Sequence, residues 1–297
     1  MELHLVNPDP RYSKVRLIEP APLGYLHVAA EVRAPKRPGP VLLSWERSQL
    51  VGALKVLGRQ LEQVPGVRKV IVYEAIVFGL PSGYVRQRAT LIQPARFDVV
   101  VLAETDSPDM TRDVRGSTEY QALVDHLTAG SQRVHAIAAR NIKRVGDVDK
   151  SRPGIFLFNY FVGEDPQVVL ELWDYLAGWY QVETGLDNST VLAPWRARPP
   201  ISSSSITPGG MAALSACLPG SWRRRASGPT SWATLTRIKL ALCPSSIALP
   251  DLDRDRVGRY AEVLDQLPDP PSTRAPLDTV PKWVLPVRRR VRPGPAS

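Results

Sequence analysis

A repeated change of hydrophobic period between residues 24 and 145 constrains this chain's fold more than any other feature. The stretch GYLHVAAEVRA reads as a strand, and Leu50, Leu54, Leu57 and Leu61 then recur at helical spacing until Pro65 and Gly66 stop the helix. The β-branched run VRKVIVYEAIVF follows, closed by Gly79, Pro81 and Gly83. Next comes FDVVVLAET, a strand apolar enough to be buried on both faces. A second helix is expected to open near Ser107 as its N-cap, with Tyr120, Leu123, Val124 and Leu127 on one side. RVHAIAARNI supplies a last strand.

That order, β-α-β-β-α-β, is the ferredoxin-like split unit. It then begins again. GIFLFNYFV (154–162) reads as a strand, and Pro166 stands where a first helical turn opens. The following helix carries Val169, Leu172, Trp173, Leu176 and Tyr180 along one face and ends at Gly185. STVLAPW gives the next strand. The expected fold class is therefore α+β, built of tandem ferredoxin-like units of which the second is incomplete. Residues 1–150 form the first unit, 151–195 the first half of the second, and 196–297 a low-complexity, disordered tail.

The tail is set apart by its charge. Residues 1–195 hold 22 basic and 22 acidic side chains, so the formal net charge of +9 arises entirely beyond them. From Arg196 to Pro250 there is no Asp or Glu, and both cysteines, Cys217 and Cys243, fall in the same window. A basic nucleic-acid arm would be richer in lysine than this stretch, whose one lysine is Lys239. Nucleic acid is thus not the expected partner. A run of TCN serine codons read one base later encodes only Phe, Leu, Ile or Val, so a serine-rich segment can conceal an apolar strand. Under that shift, residues 200–211 admit DFVLVNHARWDG, and residues 228–250 admit a helical end and a strand, the pieces the second unit lacks. The segment from about residue 196 is accordingly read as out-of-frame translation.

FDVVVLAETDSP with STEYQALVDHL, together with GIFLFNYFVGEDPQVVLELWDYLAGWYQVETGLDNSTVL, resembles the dimeric α+β barrel superfamily, which includes the antibiotic-biosynthesis-type monooxygenases. The resemblance spans roughly residues 24–194. It implies paired sheets that enclose a small molecule, with two units fused in one chain, and a cofactor-independent oxygenase acting on an aromatic or polyketide-like substrate. It also implies an Asn and a Trp four apart on a third strand. The match, NHARW, exists only in the shifted frame, so activity of the chain as written is expected to be impaired. A non-catalytic ligand-binding or structural barrel module is the alternative, and nucleic-acid binding by the basic tail a weaker third.

Four side chains are candidate ligand contacts. His135 lies mid-strand, where an inward face would let it polarise a ligand, against the plainer reading of a satisfied core or solvent-facing histidine. Arg140, nearer the rim of the same strand, suits a carboxylate or phenolate, although a surface ion pair is the ordinary use of such a residue. Asn159 shares a strand face with Ile155, Leu157 and Phe161, and an amide among apolar neighbours must find hydrogen bonds. Tyr160, on the opposite face, is expected to point at the helix layer. Trp173, with Trp179 and Tyr180, suits a flat polycyclic molecule, although plain packing explains the same spacing. Two cysteines without a CxxC pair give no metal centre, and no cofactor is expected. No apolar run approaches the roughly 20 residues needed to span a bilayer, so the expected location is the cytoplasm. The expected partners are a small aromatic ligand and a second copy of the chain joined through its sheet.

Overall fold

The computed structural model describes residues 10–32, 39–40, 44–78, 93–148, 150, 155–161, 165–185, 187–195, 217–218 and 246–250. The strands are β1 (Gly24–Glu31), β2 (Gly39–Pro40), β3 (Val67–Phe78), β4 (Val99–Thr105), β5 (Arg133–Arg144), β6 (Ile155–Phe158), β7 (Thr190–Pro194), β8 (Cys217–Leu218) and β9 (Ser246–Pro250). The helices are α1 (Trp45–Leu61), α2 (Met110–Gly116), α3 (Thr118–Ala129) and α4 (Pro166–Thr184). All strand pairings are antiparallel, in the order β7-β5-β1-β4-β3-β9-β6-β8, with β2 beside β3.

Within that sheet, β5-β1-β4-β3 is the strand order of a split β-α-β unit, with the first strand held between the fourth and the third. The chain is thus α+β, with one ferredoxin-like unit complete among the described residues. Alternation along the strands divides its two faces. Leu26, Val28 and Ala30 of β1, with Val99, Val101 and Ala103 of β4, meet the helices through Leu54, Leu123 and Leu127. Tyr25 and Ala29, with Val100 and Leu102, face the other way and pack on Phe156, Phe158 and Tyr160. β6 and the residues just beyond it therefore cover the face that α1 and α3 leave open.

Local chemistry sets the helix limits. Ser44 caps α1 by accepting from the Arg47 amide at 3.2 Å. The helix expected from Ser107 is two helices. Ser117 takes an extended conformation (φ −73, ψ 152) and its Oγ accepts from the Tyr120 amide at 3.2 Å, so α3 has its own N-cap directly after Gly116. Ser107 Oγ instead accepts from Met110 N at 3.4 Å ahead of the short α2. Asp165 caps α4, Pro166 occupies its first turn, and Gly185 ends it in the left-handed region (φ 70).

β5 continues past β1 to pair with β7, and a register shift between Asn141 and Lys143 bends it there. Asn141 holds that irregularity: its Nδ2 donates to Lys143 O at 2.7 Å and Val191 O at 2.9 Å, and its Oδ1 accepts from Ala21 N at 2.7 Å. α4 lies over β6 and β7, where Trp173, Leu176 and Tyr180 pack with Leu157, Phe161 and Val191. Beyond residue 195 only β8 and β9 are described. β9 lies between β3 and β6, and the remainder of the segment read as an out-of-frame tail lies outside the described residues. No helix among the described residues is long and apolar enough to cross a membrane.

Candidate functional site

β6 leads directly into the site. Alternation places Leu157 and Phe161 in the cluster under α4, so Asn159 between them faces the same helix. Phe156, Phe158 and Tyr160 belong to the cluster on the sheet face that the helices leave open. This corrects the expected side for Tyr160: it points at the first unit's open sheet face, while Asn159 meets the helix layer. Both faces of so short a strand are largely apolar, and only its partners decide which one each residue shows.

Asn159 lines a small cavity with Trp173 and Tyr180, two turns apart on α4, and with Asn188 and Ser189 from the segment that enters β7. All three polar side chains are buried, Asn159 at 3%, Ser189 at 4% and Asn188 at 9% exposure. The cavity holds about 10 Å³, room for a single water. Burial pushes the Tyr180 phenol far above its ordinary range, and a hydrogen bond with Asn159 works against that shift. At neutral pH Tyr180 therefore keeps its proton and remains a donor. Asn188 Nδ2 donates to Asp187 Oδ1 at 2.9 Å, and Ser189 O accepts from Val145 N at 3.0 Å, which fixes the segment's entry into β7. At the cavity's back, Lys143 Nζ stands 6.0 Å from the Trp173 ring centre and pairs with Asp174 at 2.7 Å.

The structure brings Asn159 and Trp173 together and leaves His135 and Arg140 elsewhere. His135 lies on the face opposite the helices, half-buried, its ring stacked on Phe97 (5.9 Å, 11°). Burial, and then the Arg133 charge, hold its pKa below the usual value. Arg140 is exposed and lies over the Trp195 ring at 4.9 Å, away from the cavity.

Sequence reasoning passed over the polar pair in the molecule's interior. His27, 1% exposed on β1, meets Tyr160 Oη through Nε2 at 3.1 Å, and its Nδ1 has no hydrogen-bond partner. Burial, with His135 adding to it, lowers the His27 pKa from 6.5 to about 3, so the imidazole is neutral at physiological pH. Burial pushes the Tyr160 phenol upward. The signal available was the period of β1, which sets His27 on one face with Tyr25 and Ala29. Among the described residues no group of three or more His, Cys, Asp or Glu is placed to hold a metal ion.

No family model and no curated protein matches the chain. Among solved structures it is similar to an anthrone oxidase-like protein (TM-score 0.47, 12% identity, 77% of this chain and 91% of that one). A proposed monooxygenase from Fusobacterium nucleatum is similar at TM-score 0.41 and 6% identity, over 79% of this chain and 93% of the other. A dimeric protein of unknown function and ferredoxin-like fold from Bacteroides fragilis is similar at TM-score 0.27 and 12% identity, over 41% and 99%.

Proposed function

We propose that this chain binds a small, flat aromatic molecule between α4 and the β6–β7 layer and oxygenates it without a cofactor. The observation that carries the reading is the meeting of Asn159 and Tyr180, two buried neutral donors, with the Trp173 ring in one cavity. Such a wall suits the face of a ring system, and the donors suit a ring carbonyl oxygen. If the ring carbon next to that carbonyl loses a proton, charge moves to the oxygen, where Asn159 and Tyr180 would stabilise it. The overall change balances without a further reductant: a CH2 group and dioxygen give C=O and water. The carbon gives up four electrons and both oxygen atoms are reduced, one becoming the carbonyl oxygen and the other water.

The ligand-free space is that of one water, so a ring would enter by moving α4 away from β6. α4 rests there on long side chains such as Trp173 and Leu176, which can adopt new rotamers as it moves. A second copy of the chain would pair at β7, which ends the described strand order.

Non-catalytic binding is the second reading, favoured by one specific feature. The described lining contains no carboxylate, imidazole or amine to accept the substrate's proton. Calorimetric titration with a tricyclic aromatic ketone, run beside an oxygen electrode, separates the two. Binding that weakens about tenfold or more in Asn159→Ala, the loss of roughly one hydrogen bond to a buried acceptor, supports the site. Oxygen uptake that depends on the ketone supports oxygenation, and binding without uptake supports the module. Equal binding by wild type and Asn159→Ala would remove the site.

A further inference from the structure

A second cavity lies on the other face of β6 and β7 from Asn159, against the face of β1, β3 and β4 that the helices leave open. Tyr25, Tyr73, Leu102, Phe156, Phe158 and Leu192 surround it with rings and methyl groups. Its volume is about 30 Å³. Lys150, the one charged residue of its described lining, forms an ion pair with Glu104 at 2.8 Å. Burial, with Glu104 adding to it, keeps the Tyr25 phenol protonated, so its hydroxyl carries no charge into the space.

A space of this size lined mostly by apolar atoms, with Lys150 and Thr190 as the polar exceptions, gives water few polar partners and favours an apolar occupant. The volume excludes a ring and suits a diatomic or single-atom gas. We infer that this cavity is a binding site for dioxygen, the co-substrate that the oxygenation reading requires. Alternation along the two strands relates it to the Asn159 cavity: Phe158 and Leu192 line the gas site, while Asn159 and Val191 face α4. The inference draws its biological meaning from the oxygenation reading, but the site can be tested without any substrate.

Dioxygen is paramagnetic and speeds the nuclear relaxation of the atoms it visits. The experiment places the full chain under dioxygen pressure, with dinitrogen as the diamagnetic control, and records methyl relaxation. Leu102 and Leu192 are the reporters. Leu54 and Leu123, equally buried in the helix–sheet core, serve as internal references. The expected result is a relaxation enhancement at the reporters severalfold above that at the references. It should be lost at Leu102 when Leu192→Phe fills the space, while ketone binding at the Asn159 site persists. Val148→Leu, at the rim of the same cavity, gives a milder filling variant should Leu192→Phe fail to fold. Enhancement equal at reporters and references, or unchanged by filling, overturns the inference. Enhancement at the reporters in a chain that neither binds nor oxidises the ketone would fell the oxygenase reading and leave the gas site standing.

Discussion

His27 on β1 and Tyr160 just beyond β6 share a hydrogen bond of 3.1 Å in the cluster where β1, β3 and β4 meet β6. This contact joins residues 133 positions apart and is the polar centre of an otherwise aromatic interface. Tyr73 contributes edge-to-face contacts there with Phe156 and Phe158 at 5.1 and 5.0 Å.

Acid should part this interface. The folded His27 pKa of about 3 lies below the ordinary 6.5, so the unfolded chain takes up the proton first. Stability is then complete above about pH 6.5 and falls as the pH drops from there toward 3, by up to about 1.4 kcal/mol per pH unit. His135, lowered in the same direction, adds to the slope. Urea midpoints measured from pH 7 to pH 4 should show this loss, and His27→Gln should flatten it. An unchanged slope in His27→Gln would mean that another group governs acid unfolding.

Removing the partner hydroxyl tests the same contact without changing charge. Tyr160→Phe should cost about 1–3 kcal/mol, because His27 Nε2 is left buried without a partner and its Nδ1 already has none. A loss no larger than that of a surface substitution would show that the bond contributes little.

Arg47 of α1 is 2% exposed, and its Nε approaches Glu74 Oε2 at 3.8 Å while neither Nε nor Nη1 makes a hydrogen bond. Desolvation of the guanidinium is poorly compensated. Arg47→Met alone should destabilise by about 3–5 kcal/mol, whereas Arg47→Met with Glu74→Met should be close to neutral. Thermal melts of the two variants compare them directly, and a single variant as stable as the double would contradict this.

Much of the fold is written in short-range signals, and the rest depends on long-range pairing. β3 spans the same twelve residues that its β-branched run marks, because Gly66 and Gly79 flank it. α4 was legible from Pro166 and Gly185, whose backbone requirements are local. The division at Ser117 was missed because apolar spacing continues through it, although Gly116-Ser117 is itself an end-and-cap signal. The His27–Tyr160 pair was illegible for a different reason: each strand shows its own alternation, and neither shows which layer it will face. Arg47 was hidden by the leucines of its own helix, since spacing reveals an apolar stripe but not a charged residue buried beside it.

The frame reading gives an expectation of its own. β9, in the written frame, is the described strand between β3 and β6. A one-base compensating change near codon 196 should raise soluble yield and sharpen unfolding relative to the written chain. Matching yields and melts for the two would return residues 196–250 to the status of an ordinary tail.

The central claim is the position of the ligand, and intermolecular NOEs to a bound tricyclic ketone measure it most directly. The account predicts NOEs from the ketone's ring protons to the Trp173 indole and Tyr180 ring, and loss of those signals in Asn159→Ala. Signals instead to Trp45, which is 69% exposed, or to Trp195 beside Arg140, would place the ketone on the surface and contradict the account.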